Sequence, residues 1–288
     1  MNRMMSHPVL SGAGAGVALL VVAGVAAAPV QADHVAVELV SETTALVPGR
    51  SATLGLRFVH EPHWHTYWIN PGDSGLATKL SWRLPPDFRA GEIRWPVPQR
   101  FDVGGLFNFG YDGEALLPVQ IDIPASAKAV SSVQLAVEAR WLVCREECVP
   151  GKATLTLDLP LAAEAATDPR WQAAFAAARA AQPQPAQWTG AAHDRADRID
   201  VTLTNSGRGA DLSSSPALDA FVVQRQVVGY APPQISRSVN GLTISFAKSE
   251  YFTTAPAALD LLLVSGVPPD ASAWSVHAPL SPTKKAPP

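Results

Sequence analysis

The chain has 288 residues, with 22 Lys and Arg against 25 Asp and Glu, giving a formal net charge of -3. That balance argues against the basic face that a nucleic acid or an anionic membrane surface would need. A hydrophobic content of 47% with 16% charged residues argues against a disordered chain, and the length accommodates two modest domains, each with its own core.

Arg3 gives the N-terminus a weak positive start, and Gly16 to Ala28 is an unbroken run of Gly, Ala, Val and Leu. Val30-Gln31-Ala32 then offers small or short residues where a signal peptidase would read them, so residues 1–32 are expected to be a secretory signal cleaved before Asp33. A retained membrane anchor is the alternative, but the run is short and rich in Gly and Ala, whereas a spanning helix wants about 20 strongly apolar residues. Leu259 to Val267 is too short to span and contains Asp260 and Gly266. The expectation is a soluble periplasmic protein, in a compartment where disulfides form and persist.

From Ala36 to Leu161 the hydrophobic pattern has period 2. Val35, Val37 and Leu39 alternate with Ala36, Glu38 and Val40, and Ala52, Leu54, Leu56 and Phe58 share one parity. Turn signals separate the runs at Pro48-Gly49, Asn70-Pro71-Gly72-Asp73, Pro85-Pro86-Asp87 and Asp112-Gly113. Val133, Leu135, Val137, Ala139, Trp141 and Val143 form one apolar face, and Leu155, Leu157 and Leu159 another. Together these predict an antiparallel hairpin with Cys144 to Cys148 at its tip, within an immunoglobulin-like β-sandwich over residues 33–161.

Thr167 or Asp168 can cap a helix with Pro169 in its first turn and Trp171 and Phe175 on one face. The Ala-rich run stops at Pro183, and Gln182 to Gln187 reads as a Pro/Gln linker, so residues 162–187 are expected to separate two domains. Ile199, Val201 and Leu203 alternate, as do Leu242, Ile244 and Phe246 after Asn240-Gly241, and Leu259 to Val264 is continuous like a central strand. The fold class is therefore all-β: the sandwich, a short helix, a second smaller β-rich domain over 188–282, and a disordered tail over 283–288.

Cys144 and Cys148 are the chain's two cysteines. A structural staple is the usual fate of a cysteine pair in an exported protein. Closing so small a loop, however, stabilises by only about 2 kcal/mol in the chain-entropy model. A disulfide at an exposed hairpin tip is also within reach of another thiol. Spacing alone leaves staple and redox exchange both open. A zinc site is a third, more distant reading, with His63 and His65 placed on one strand face to complete two thiolates, though the flanking residues do not form a metal-ligand motif. Glu146 and Glu147 disfavour a thiolate and Arg145 favours it. With no helix N-terminus beside the pair, it reads as a relay and not as a strongly activated attacker.

Several segments carry a family resemblance. His65-Thr66-Tyr67-Trp68-Ile69-Asn70-Pro71-Gly72-Asp73-Ser74-Gly75, Ile93-Arg94-Trp95-Pro96-Val97-Pro98, Phe109-Gly110-Tyr111 before Leu117-Pro118-Val119, and Trp141 to Cys144 through Cys148-Val149-Pro150-Gly151 resemble the N-terminal periplasmic domain of the DsbD/ScsB thiol–disulfide interchange proteins. Residues from Leu262 to Val267 and Trp274 to Val276 more loosely resemble the second β-region of the ScsB-like members.

The resemblance implies an immunoglobulin-like fold in which Cys144 and Cys148 are the redox pair, Cys148 forming the mixed disulfide and Cys144 resolving it. It also implies an aromatic cap loop over the pair, at about Arg100 to Tyr111, with Phe101, Phe107 or Tyr111 as shielding rings and Gly104-Gly105 as a hinge. No cofactor and no metal are called for. Fuller members of the family continue into a membrane domain and a thioredoxin-like domain. This chain has neither, so a separate membrane-embedded DsbD- or CcdA-like donor is expected to supply electrons, and periplasmic thioredoxin-like or disulfide isomerase proteins to receive them. The competing reading is a non-catalytic adaptor whose disulfide merely fixes the hairpin. Asn70 to Gly75 lacks the lysine and the strand–loop–helix setting of a phosphate loop, and Ser74 lacks a nucleophile elbow.

Overall fold

The computed structural model describes residues 28–205, 215, 217–239, 241–268 and 270–281, and among these it has nineteen strands and one α-helix. The first eleven strands are β1 (Val30–Ala32), β2 (Val35–Ser41), β3 (Ser51–His60), β4 (His65–Gly72), β5 (Lys79–Arg83), β6 (Arg89–Ile93), β7 (Gln99–Val103), β8 (Leu106–Asp112), β9 (Glu114–Asp122), β10 (Val130–Cys144) and β11 (Cys148–Leu161). They form two sheets, one ordered β1-β2-β3-β9-β6 and the other β11-β10-β4-β8-β7, with β5 paired to β10 beside β4.

Alternation decides which faces meet. Val35, Val37, Leu39, Leu54, Leu56, Phe58, Leu117, Val119 and Ile121 of the first sheet share one buried cluster with Leu135, Val137, Ala139, Trp141, Val143, Leu155, Leu157 and Leu159 of the second. Each large aliphatic side chain buried there contributes roughly 1.5–3 kcal/mol, and this shared burial holds the two layers together. The predicted apolar parities of β2, β3, β10 and β11 are those of the core.

The opposite face of the first sheet is not left to solvent. Glu38 and Val40, the off-parity residues of β2, are buried as well. The reason is α1 (Gln172–Ala180), whose Phe175 and Ala178 pack on Val40 and Leu116. Glu38 is held there by Arg57, whose guanidinium also grips Glu114 and lies 5.4 Å from the Trp171 ring centroid. Residues 162–187 therefore do more than link: Leu46 and Thr43 bridge to Leu161 and Thr167, and the helix seals the first sandwich.

The helix itself starts later than its capping signal predicts, with Trp171 at the cap position and no side-chain bond there. Asp168 caps the turn before it, accepting the Arg170 N–H at 3.0 Å, while the Asp168 carbonyl receives Gln172 N–H at 3.0 Å. The cap chemistry is at the predicted residue, and regular helix follows one turn on.

Beyond the helix come β12 (Gln184–Pro185), β13 (Trp188–Asp194), β14 (Arg198–Asn205), β15 (Leu218–Val222), β16 (Gln234–Ser238), β17 (Gly241–Ala247), β18 (Ala258–Ser265) and β19 (Ser272–Ser281). They form one eight-stranded sheet, ordered β15-β18-β19-β13-β14-β17-β16 with β12 on β19. Its two halves close on a second core that includes Ile199, Val201, Leu203, Leu242, Ile244, Phe246, Leu259, Leu261 and Leu263.

The continuous apolar run of β18 has a specific cause: Leu259, Leu261 and Leu263 face this second core, whereas Leu262 and Val264 join the first. The expected signal segment falls mostly on residues outside those described, its last residues forming β1, and the expected disordered tail lies wholly outside them. No helix among the described residues is long and apolar enough to cross a membrane.

Because Phe175 is 1% exposed and forms the centre of the helix contact, Phe175→Ala is expected to cost about 3–5 kcal/mol, read from urea unfolding. A cost under about 1 kcal/mol would show that α1 is not a structural part of the first sandwich.

Candidate functional site

The β10–β11 ladder runs without interruption from Val133 opposite Leu159 to Cys144 opposite Cys148, at the turn of the hairpin. Register alone thus delivers the two cysteines to each other, and they form a disulfide across a loop of Arg145, Glu146 and Glu147. The loop is closed by Arg145 N–H donating to the Glu147 carbonyl at 3.0 Å. The two cysteines differ in access: Cys144 is 2% exposed, whereas Cys148 is exposed. Arg145 spends its guanidinium on the Trp64 ring, 5.4 Å from its centroid, and Trp64 is stacked on His34 at 3.6 Å.

On its other edge β10 meets β4, where His65 stands directly opposite Cys144. His65 is in turn opposite Asp112 of β8, so Cys144, His65 and Asp112 lie in one row on the same sheet face. Tyr67, two residues along, shares that face, and its hydroxyl donates to Cys148 Sγ at 3.5 Å. The His65 ring meets Tyr67 edge-on at 5.2 Å and is stacked on Phe101 of β7 at 4.5 Å.

His65 Nε2 is buried without a hydrogen-bond partner. Burial, reinforced by the neighbouring His60, pushes the His65 pKa down to about 4, against a smaller opposing pull from Asp112. His60 is also lowered by burial, its ring held between the Gly113 carbonyl and the Thr66 hydroxyl. Burial raises the Tyr67 hydroxyl, and Ser74 draws it back. The row beside the disulfide is therefore uncharged at His65 and Tyr67 near neutral pH.

The segment from Asn70 to Gly75, the end of β4 and the bend that follows it, locks this row in place. Gly72 and Gly75 both have positive φ, and a Cβ at Gly75 would sit 2.2 Å from the Tyr67 ring, so only glycine lets the loop cover that ring. Asp73 accepts the Phe107 N–H at 2.7 Å and Ser74 donates to Asn108 at 2.9 Å, tying the loop to β8. Gly151 of β11 serves Trp141 in the same way, since a Cβ there would meet the indole at 2.2 Å.

The predicted cap segment is a β7–β8 hairpin turning at Gly104-Gly105, both with positive φ. Of its three candidate rings, Phe101 alone stacks against the site. Phe107 packs, partly buried, on the core, and Tyr111 is buried with its hydroxyl donating to the Pro96 carbonyl at 2.8 Å. The two histidines do not share a strand face. His63 precedes β4 in an exposed turn with φ 71°, away from the row that holds His65. No group of three or more His, Cys, Asp or Glu placed to hold a metal occurs among the described residues.

Tyr67 and the placement of His65 against Cys144 are what sequence reasoning missed. Their shared parity on a strand was visible, but the pairing of β4 with the end of β10 was not.

An immunoglobulin-like β-sandwich with a disulfide at a hairpin tip, backed by a buried His–Tyr row, is the class of protein that fold and site define. Residues 32–160 match the family model described as thiol:disulfide interchange protein DsbD, N-terminal, and this part of the chain belongs to that family. Among solved structures, the N-terminal periplasmic domain of ScsB from Proteus mirabilis is similar at 18% identity and a TM-score of 0.63, covering 87% of this chain and 95% of that one. A chimeric titin Z1Z2 (14% identity, 86% and 96% covered) and the YadV chaperone (8%, 83% and 99%) align with TM-scores of 0.21 and 0.22, too low to carry an argument. No curated protein matches the chain.

The ladder's register is fixed by its buried face as well as by the disulfide at its tip. A Cys144→Ser/Cys148→Ser variant is expected to stay folded and lose about 2 kcal/mol in chemical denaturation. Loss of the cooperative transition would mean that the bond is a structural staple.

A group whose folded pKa lies below its unfolded value contributes stability at high pH and loses it as pH falls. For His65 the loss runs from about 6.5 down to about 4. Stability is thus expected to drop between pH 7 and pH 5, and His65→Asn to shrink that drop by about 2 kcal/mol. An unchanged drop in the variant would place the His65 ring in solvent.

Proposed function

We propose that this chain is a periplasmic thiol–disulfide exchange relay. It would pass reducing equivalents from a separate membrane-embedded donor of the DsbD or CcdA type to periplasmic thioredoxin-like or disulfide isomerase partners, cytochrome c maturation thioredoxins among them. Family membership of residues 32–160 supports the chemistry. The observation that carries the reading is the asymmetry of the pair, an exposed Cys148 bonded to a buried Cys144.

In the loading half-reaction a donor thiolate attacks Cys148 Sγ. The bond to Cys144 breaks, Cys144 leaves as a thiolate and takes up a proton, and a mixed disulfide joins the donor to Cys148. The donor's second thiolate then attacks its own sulfur in that mixed disulfide and releases Cys148. The donor ends as a disulfide and this chain as a dithiol. In the unloading half, Cys148 attacks the acceptor's disulfide and Cys144 resolves the mixed species, so the acceptor is reduced by two electrons and the Cys144–Cys148 bond re-forms. Tyr67, as a hydrogen-bond donor at Cys148 Sγ, steadies the sulfur that changes partner. Phe101, over His65, covers the Cys144 side and leaves Cys148 as the point of entry.

Cys144→Ala is expected to accumulate a mixed disulfide through Cys148 with a periplasmic thioredoxin-like acceptor, whereas Cys148→Ala does not. The wild-type pair is expected to equilibrate with such partners at a potential above about -300 mV. A potential well below that value, with no species trapped by either variant, would leave the adaptor reading in its place.

A further inference from the structure

Arg100 and Phe101 are consecutive on β7 and so point to opposite faces of the sheet. Phe101 lies on His65, across from Cys144. Arg100, its side chain 9% exposed, reaches the other way into residues of the second β-unit. Its Nη2 donates to Asp219 Oδ1 at 2.7 Å and its Nε to Asp219 Oδ2 at 3.1 Å, a two-pronged grip on one carboxylate. Nη2 also donates to the Ala220 carbonyl at 3.1 Å, and Nη1 to the Tyr230 carbonyl.

The guanidinium lies against two rings that themselves meet edge to face, 4.7 Å from the Phe109 centroid and 4.8 Å from that of Phe221. Phe109 is the cross-strand partner of Arg100, so this contact fixes β7 and β8 together. On β4, the buried Asn70 donates to the Val222 carbonyl at 2.7 Å. β7 is the last strand of its sheet, bonded to β8 alone, so its position depends on what it grips beyond the sheet.

We propose that the second β-unit braces the β7–β8 hairpin through Arg100, and so holds Phe101 on His65 beside the disulfide. Arg100 is then a positioning residue for exchange at Cys144–Cys148, a role that rests on the relay reading above. The bidentate fork sets the direction of the side chain as well as its location. An alternating strand converts that into the placement of the next residue on the far face. Around His65 the titratable and charged groups are His60, Asp112 and Tyr67, none of which belongs to the brace.

The test uses the full chain, with Arg100→Ala, Asp219→Asn, Phe101→Ala and the Arg100→Ala/Phe101→Ala double variant. Three quantities are read: the NMR titration of the His65 ring, amide exchange across β7 and β8, and the rate at which dithiothreitol reduces the pair. In Arg100→Ala, His65 is expected to titrate closer to the ordinary histidine value. Amides of β7 and β8 should exchange faster, and reduction should accelerate about threefold or more. Asp219→Asn should move all three the same way by less, and it carries the same test should Arg100→Ala unfold.

In the Phe101→Ala background, adding Arg100→Ala should change the reduction rate little, because the brace acts through that ring. Unchanged His65 titration and reduction rate in folded Arg100→Ala would overturn the proposal, as would an equal Arg100 effect with and without Phe101. Dithiothreitol needs no protein partner. A failure of the relay reading, seen as no trapped mixed disulfide, is therefore distinguishable from a failure of the brace.

Discussion

The register of one antiparallel pair governs this molecule. From Val133 to Cys144, β10 is matched residue for residue to β11, and its alternate side chains are committed to the core. A slip of one residue would turn Leu135, Val137 and Trp141 outward, so the buried face fixes the register more firmly than any crosslink could. Cys144 and Cys148 are opposite each other as a consequence. The same commitment places Cys144 on the face away from Val143, where β4 brings His65 alongside and Tyr67 within reach of Cys148.

The chemistry around the pair is restrained. Arg145, the one nearby cation in the loop, stacks on Trp64, and Glu146 and Glu147 are exposed beside it. His65 is neutral near pH 7 because burial penalises its charge, and no helix begins at either cysteine among the described residues. Among the described residues, neither a helix N-terminus nor a cation free of other contacts is placed at the pair to favour a thiolate. On the proposed reading, rate is supplied by the partner's activated thiol, and this chain contributes a reachable sulfur whose neighbour is sheltered. That division suits a relay, which must accept electrons and surrender them without reacting indiscriminately.

Much of this could be read from the residues in order. Period-2 runs gave the faces of β2, β3, β10 and β11, and the hairpin tip followed from two such runs flanking the cysteines. The expected turn at Asn70 to Gly75 lies later than its signal, since β4 runs on through Gly72 and the chain bends at Asp73 and Ser74 between two glycines of positive φ. What stayed hidden was of longer range. Burial of Val40 and Glu38 depends on a helix more than 130 residues away in sequence, and alternation cannot report a second covering layer. His63 looked like a strand partner of His65 because spacing says nothing about where a strand begins. Tyr111 and Phe107 looked equivalent to Phe101 for a similar reason: an aromatic ring in a hairpin announces burial, not which side of the sheet it takes.

The contact between the two β-units shows why a polar grip sits in an otherwise apolar seam. Phe221, Leu262 and Val264 already join Trp68 and Phe109 in one buried cluster, with rings of Phe109 and Phe221 5.0 Å apart. Apolar burial of that kind stabilises association but is tolerant of small rotations, because dispersion contacts have little directional preference. A buried ion pair adds little stability over well-packed apolar side chains. What Arg100 adds is direction: two bonds to Asp219, two to backbone carbonyls and contact with two rings hold the guanidinium plane in one setting. Since Phe101 is the next residue along, the angle at which the second unit meets the first becomes the angle at which an aromatic ring meets His65.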